Sequence, residues 1–144
     1  AFASELLMPP KMFREHAKAV PDGIQGLQAL ADLFSTSYTS TAVRMVDLLD
    51  EYDMMVIAGP DGVHWWRGRP NIRSPWCEKR QRIHPDSGAG QIFASGDKTF
   101  ADEVPWDAWF PHVPVPEGQS IWEETVFFPN YGTTLSLLQF MDLE

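Results

Sequence analysis

The sequence has very little cysteine and no long apolar run. Cys77 is the one cysteine among 144 residues, so the chain cannot form a disulfide within itself. A low cysteine content is typical of proteins in a reducing compartment, and we predict a cytoplasmic location. Cys77 lies beside basic residues in "SPWCEKR", where we interpret it as an ordinary loop thiol rather than a reactive one. No apolar run approaches the roughly 20 residues that span a bilayer, so we expect no membrane attachment.

Basic residues are missing from the last third of the chain. After Lys98 there is no Lys or Arg, whereas eight carboxylates follow. The basic residues concentrate earlier in the chain. Six of them lie from Arg67 to Arg82, where Glu78 is the single acid, so this stretch is positive in a chain whose formal net charge is -9. Aromatic residues interleave with both regions, which indicates opposite charges within one folded unit rather than a charged tail.

The sequence also lacks the patterns of common catalytic sites. A zinc peptidase needs two histidines one helical turn apart with a carboxylate as general base. None of the four histidines has such a partner: His16, His64, His84 and His112. Cys77 or Ser87 with His84 is the only nearby nucleophile pairing, and no oxyanion-hole pattern accompanies it. Glu123 and Glu124 are adjacent in a predicted strand, where neighbours point to opposite faces. We therefore predict no catalytic residue and no metal site within this chain.

Helical spacing dominates up to about residue 50. In "GIQGLQALADLF" apolar residues recur at i, i+3, i+4 and i+7, and "TAVRMVDLLDEY" repeats this spacing. Asp22 is predicted to cap the first of these helices. The hydroxyl-rich "STSYTST" between them favours a tight turn and a helix cap, so the two helices form a helix-turn-helix-like unit.

Three residues of this unit are candidate contacts with DNA or with a repressor protein. Thr39, Thr41 and Arg44 lie where a recognition helix would begin, and their side chains can bond phosphates or base edges. From Ile24 to Asp50, however, Arg44 is the only basic residue against three acids, so little phosphate charge can be neutralised. We predict that the unit packs against the rest of the protein or docks a protein, with DNA binding as the weaker alternative.

The pattern changes near Glu51 to Asp53. "MMVIA", the turn "GPDGV" and "VHWWRG" predict a β-hairpin, and "GQIFAS", "SIWEETVFF" and "TTLSLLQFM" are further candidate strands. The Asp86-Ser87 pair suits a turn or a helix cap. We predict an α+β protein with a helical segment over residues 1–52 and a small domain with a mainly antiparallel sheet over residues 53–144.

A basic, aromatic stretch, "WWRGRPNIRSPWCEKRQRIH", is the best candidate binding site. Indole rings alternating with guanidinium groups suit anions, stacked bases or cation–π contacts. The candidate ligand or partner contacts are Trp65, Trp66, Arg67, Arg69, Arg73, Trp76, Arg80 and Arg82. The alternative is that the tryptophans are core residues and the arginines pair with the acidic C-terminal third.

Several segments resemble one protein family in chain order. "AFASELLMPP" resembles the stretch that follows the zinc site in the ImmA/IrrE family of metallopeptidases, and "LADLFSTSYTSTAVRMVDL" resembles the helix-turn-helix after it. "DGVHWW", "RIHPDS", "WDAWF" and "YGTTLSLLQF" resemble the family's C-terminal domain, whose fold is similar to GAF sensor domains. The resemblance thus implies a GAF-like domain over residues 53–144.

The same resemblance implies that the metal site lies outside this chain. In the family, an H-E-x-x-H helix and a later glutamate bind zinc, and both precede the "LLMP" stretch. Phe2 and Leu6 lie one helical turn apart with no capping residue before Ala1, so we expect the chain to begin inside a longer helix that ends before Pro9. Zinc is then expected only in an intact parent protein, and no cofactor in this chain.

The function that follows is regulatory rather than catalytic. The resemblance implies the non-catalytic portion of a bacterial, cytoplasmic metallopeptidase that cleaves a transcriptional repressor in a stress response, and this portion would hold the repressor or sense a small-molecule signal. The alternatives are a stand-alone regulatory module that binds DNA or a small anionic ligand, and a structural or assembly domain.

Overall fold

The computed structural model describes residues 9–70, 75–115 and 119–142, which form an α+β fold. Three helices come first: α1 (Pro10–Ala17), α2 (Gly23–Phe34) and α3 (Tyr38–Leu48). The remaining elements are β1 (Met54–Gly59), β2 (Gly62–Gly68), α4 (Gly88–Ser95), β3 (Thr99–Pro105), a 3-10 helix (Trp106–Ala108), β4 (Gln119–Phe128) and β5 (Thr133–Asp142). The predicted α+β class is confirmed. The helix predicted before Pro9 lies outside the described residues.

The start of α2 corrects one prediction. Asp22 makes no capping bond with its side chain. Instead, Glu124 Oε1 accepts a hydrogen bond from the Ile24 N–H at 3.2 Å, and the Tyr52 hydroxyl accepts one from the Gly23 N–H at 2.7 Å. The free N–H groups of this helix are therefore satisfied by residues distant in sequence, which a local pattern cannot reveal.

The start of α3 follows the local sequence. Ser35 ends α2 in the left-handed region with φ of 53°, and Ser37 Oγ accepts a hydrogen bond from the Ser40 N–H at 3.0 Å. The hydroxyl-rich turn thus supplies the cap that its composition predicts.

The segment "GQIFAS" is a helix and not the predicted strand. It belongs to α4, where Ser87 Oγ accepts a hydrogen bond from the Gly90 N–H at 2.9 Å and Gly96 closes the helix at φ of 81°. The apolar run is too short for its periodicity to distinguish a strand from a helix. The Ser87 cap before it and Gly96 after it favour the helix. The strand β3 that follows was not among the predicted strands.

The five strands form one antiparallel sheet in the order β2-β1-β5-β4-β3. β2 and β3 are therefore its two edges. β1 lies between β2 and β5, and all six of its residues are buried because the sheet is covered on both faces at this strand. A bulge in the β1–β2 pairing between Ile57 and Ala58 shifts the register, so that Ile57 pairs with Trp65 and Ala58 with Val63.

Two apolar cores lie on opposite faces of the sheet. The first core joins α1, α2 and α3 to one face, and it includes Phe13, Leu27, Met45, Met55 and Leu137. The second core joins α4 and the 3-10 helix to the other face, and it includes Val56, Ala89, Trp109, Phe110 and Ile121. The helices before residue 52 and the sheet after residue 53 thus share the first core, across the predicted boundary. No helix among the described residues is both long enough and apolar enough to cross a bilayer.

Candidate functional site

Two arginines of the basic, aromatic stretch are tied to the helical segment. Arg67 donates two hydrogen bonds of 2.8 Å to the carboxylate of Asp47 on α3. Arg69 donates to the Asp50 carbonyl at 2.9 Å and forms an ion pair of 3.1 Å with Asp53. Both arginines therefore pair with acids at the end of α3 and in the following linker, rather than with the acidic C-terminal third.

The three tryptophans of the stretch have different environments. Trp66 is half-buried against the second core and donates from its indole nitrogen to the Cys77 carbonyl at 3.0 Å. Trp65 and Trp76 remain 41% and 48% exposed, respectively. Arg73 lies outside the described residues. Of the predicted ligand contacts, Trp65 and Trp76 thus have rings available to a partner.

Residues 79–82 form a turn that presents three basic side chains, and we call it the basic turn. Lys79, Arg80 and Arg82 are exposed. The turn is fixed to the start of β2 because the Arg80 N–H donates to the Val63 carbonyl at 3.0 Å and the Val63 N–H donates to the Gln81 carbonyl at 2.9 Å. The backbone of Arg80 is left-handed, with φ of 59°.

A buried amide holds the basic turn from inside. Gln81 Nε2 donates to the Trp109 carbonyl at 2.7 Å, and Gln81 Oε1 accepts from the Glu78 N–H at 3.1 Å. A left-handed backbone at a residue other than glycine is uncommon and persists where surrounding contacts determine it. The bonds of Gln81 and Val63 supply those contacts.

The predicted contacts of the helix-turn-helix-like unit are mostly buried. Thr41 is fully buried, and its hydroxyl donates to the Ser37 carbonyl at 2.8 Å. Arg44 is also buried. Thr39 is half-buried and lies at the surface near β5. Thr39 is therefore the one residue of the three that a partner can reach without a rearrangement of α3.

A surface groove of about 450 Å³ lies between the start of α3 and the β4–β5 turn, and we call it the tyrosine groove. Its lining residues are Ser37, Tyr38, Thr39, Ile57, Phe128, Tyr131 and Thr133. The Tyr38 and Phe128 rings lie 5.6 Å apart, and Tyr131 is 80% exposed. None of the described residues that line the groove is charged. The lining of the groove therefore combines aromatic rings with hydroxyl groups.

Glu123 on β4 carries a buried carboxyl group with a structural role that the sequence pattern did not predict. Glu123 is fully buried and accepts from the Gly88 N–H at 2.8 Å, the Ala89 N–H at 3.0 Å and the Trp109 indole at 2.7 Å. The hydroxyls of Thr125 and Ser136 donate to Glu123 Oε2, which also accepts the Ala89 bond, whereas Oε1 accepts the other two. Glu123 thus caps α4 from the interior of the sheet.

Within the described ranges, no group of three or more His, Cys, Asp or Glu side chains could hold a metal ion. His64 lies 2.9 Å from Asp61 in an exposed turn, and this hydrogen bond lowers the pKa of Asp61. Burial raises the pKa of the Cys77 thiol to about 12, which disfavours the thiolate that a nucleophile requires.

No protein-family profile matches this chain, and no curated protein matches its sequence.

Proposed function

We propose that this chain is a non-catalytic, substrate-docking portion of a bacterial, cytoplasmic ImmA/IrrE-like metallopeptidase whose intact form cleaves a transcriptional repressor. Zinc and the catalytic residues belong to the upstream part of that parent protein. In this proposal α2 and α3 are the helix-turn-helix-like unit, and the sheet with α4 is the GAF-like domain. The α+β architecture and the antiparallel sheet are compatible with this assignment.

The observation that carries the proposal is the position of the motif residues around the tyrosine groove. "TSYTSTAVR" is one of the segments on which the family resemblance depends, and it contributes Ser37, Tyr38 and Thr39 to the groove. Tyrosine and other aromatic residues are enriched in the centres of protein interfaces. An uncharged groove with an exposed tyrosine therefore suits an apolar protein segment better than a phosphate backbone.

The burial of Arg44 weakens the alternative of DNA binding. Nucleic-acid affinity rests on several Lys and Arg side chains that neutralise phosphates. Arg44 is the only basic residue of α3 and is buried, and none of the described groove residues is basic. We assign the groove to a segment of the repressor protein.

The experiment uses the natural gene product in its own host, with and without the segment upstream of Ala1. New protein N-termini are quantified by mass spectrometry. We expect a DNA-binding repressor to be cut only when the upstream segment is present. Tyr131→Ala should lower this cleavage by at least about tenfold, because a truncated interface hot spot loses this much affinity or more.

Leu33→Ala is the matched control, since Leu33 is an exposed apolar side chain on α2 outside the groove. It should leave cleavage unchanged. Absence of any repressor cleavage, or equal cleavage by the Tyr131→Ala and Leu33→Ala variants, overturns the proposed role of the groove.

A further inference from the structure

The two edges of the sheet carry opposite charge. β2 and β3 lie at opposite ends of the strand order. The basic turn is fixed to β2 through Val63, whereas β3 exposes Asp102 and Glu103. A chain with a formal net charge of -9 therefore has a group of exposed basic side chains at one edge of the sheet and an acidic strand at the other.

Two basic side chains of the basic turn are not neutralised by an ion pair with another described residue. Within the described part of the chain, Lys79 and Arg82 join no ion pair. Two acids lie near the turn. Glu78 pairs with His112 at 3.3 Å, and Asp61 pairs with His64 at 2.9 Å. The positive side chains at residues 79 and 82 thus remain available to a partner.

The left-handed backbone of Arg80 is a second observation at the same place. Such a conformation is unfavourable for a residue with a side chain, and glycine would adopt it without that cost. The turn nevertheless has an arginine at this position, and the backbone hydrogen bonds between Val63 and residues 80 and 81 hold it there. Strain that is held by surrounding contacts concentrates at functional sites, which favours a binding role for this turn.

We call residues 97–107 the acidic edge. It has four exposed carboxylates: Asp97 before β3, Asp102 and Glu103 on β3, and Asp107 in the 3-10 helix. Lys98 is the one base in this segment. Asp102 Oδ1 accepts a hydrogen bond from the Glu103 N–H at 2.7 Å, and no ion pair among the described residues involves these four acids. Acids on an edge strand also discourage unspecific strand pairing, but that role does not account for a basic turn at the opposite edge.

We propose that copies of this chain associate head to tail, with the basic turn of one copy docked against the acidic edge of the next. The two surfaces are complementary in charge and lie at opposite ends of the sheet. The basic turn of one copy therefore cannot reach the acidic edge of the same copy. A contact between unlike surfaces leaves one of each free and extends into a chain or closes into a ring. The proposal is independent of the metallopeptidase assignment.

The net negative charge does not prevent this contact. Repulsion between whole copies acts over long distances, and at physiological ionic strength the Debye length is only about 8 Å. Ion pairs formed in direct contact are screened less than repulsion across the width of the molecule. We therefore expect association at about 0.1 M salt and its loss at about 1 M salt.

The test measures the mass of the full chain by sedimentation equilibrium over a range of protein concentrations. The unaltered chain should exceed its monomer mass of 16.3 kDa at about 0.1 M salt. The double variants K79E/R82E and D102K/E103K should each remain monomeric. Arg80 is left unchanged so that the left-handed turn is not disturbed.

An equal mixture of the two double variants gives the decisive result. Each variant retains one original surface that complements the partner variant, and the two reversed surfaces also complement each other. The mixture should therefore regain a mass of at least twice the monomer. This recovery also shows that neither variant lost association through misfolding.

K11E/K18E and E15K/D32K are matched controls, because they change the net charge equally at exposed positions outside the basic turn and outside residues 97–107. They should associate like the unaltered chain. The proposal is overturned if the unaltered chain is monomeric at every concentration, if the controls lose association equally, or if the mixture stays monomeric. Binding of a monomeric chain to duplex DNA through Lys79 and Arg82 would likewise overturn it.

Discussion

Glu123 and Glu124 are neighbours in β4, yet they cap two different helices on opposite faces of the sheet. Glu123 Oε1 accepts from the Gly88 N–H of α4, and Glu124 Oε1 accepts from the Ile24 N–H of α2. The alternation of side chains along a strand directs one carboxyl group into each layer. The pair thus fixes both helical layers to the same strand.

Loss of Glu123 should destabilise the fold more than loss of Glu124. Glu123→Ala leaves buried donors of Gly88, Ala89 and Trp109 without an acceptor, and we expect a loss of about 3 kcal/mol or more. Glu124 is only half-buried, and its replacement by Ala should cost about 1 kcal/mol, as for a helix cap. Urea unfolding of both variants measures the difference, and equal losses would contradict it.

The basic turn should depend on a glycine. Gly62 has φ of 132°, and a Cβ there would lie 2.7 Å from the Arg80 carbonyl oxygen and 2.8 Å from that of Gln81. We expect Gly62→Ala to lower the free energy of unfolding by about 2 kcal/mol more than Gly132→Ala, since backbone atoms cannot move aside cheaply. Gly132 has φ of 65° with open space around a Cβ, so it isolates the effect of φ alone. Similar losses in thermal or urea unfolding would argue against this close approach.

Cys77 should be inert in the native chain. Burial raises the pKa of its thiol to about 12. At about pH 8 we expect iodoacetamide to leave native Cys77 unmodified and to alkylate it after unfolding. Rapid alkylation of the native chain, detected by mass spectrometry, would support the reactive thiol that the neighbouring basic residues suggest.

The same burial should make stability fall in alkaline solution. An unfolded thiol loses its proton near pH 8.5, whereas folded Cys77 keeps it up to about pH 12. The unfolded state then binds fewer protons, so the free energy of unfolding decreases through this window by up to about 1.4 kcal/mol per pH unit. Burial also raises the pKa of Tyr52 to about 12, which adds a decrease of the same sign above about pH 10. Urea unfolding at about pH 8, 9 and 10 should give a flatter profile for Cys77→Ala, and an identical profile would exclude Cys77 as the cause.

Arg67 should act as a structural residue. Its two bonds to Asp47 join β2 to α3 at an exposed position, where ion pairs contribute little. A double-mutant cycle with Arg67→Ala and Asp47→Ala should give a coupling energy of about 0.5 to 1 kcal/mol that weakens in high salt. A coupling energy of zero would instead leave Arg67 available as a ligand contact.

Local sequence signals predicted some elements because their causes are local. Ser37 caps α3 three residues away from its donor, and the helical spacing of Leu27 and Met45 matches their burial in the first core. Other features depend on partners far along the chain. Glu124 caps α2 from 100 residues away, and Gln81 donates to the Trp109 carbonyl from 28 residues away. A sequence pattern that spans only a few neighbouring residues cannot predict such contacts.

The candidate site was predictable only in part for the same reason. The exposure of Trp65 and of the basic turn fits the predicted binding stretch, but the pairing of Arg67 and Arg69 with α3 and its linker depends on how the helices pack on the sheet. The tyrosine groove joins Tyr38 to Phe128 and Tyr131, which are brought together by the β4–β5 turn. No spacing in the sequence relates these residues.

The intact mass and the zinc content of the natural gene product test the proposed origin of this chain most directly. We predict a polypeptide heavier than 16.3 kDa that holds about one zinc ion per chain, with an H-E-x-x-H segment upstream of Ala1. A gene product of 16.3 kDa that contains no zinc would contradict the metallopeptidase assignment.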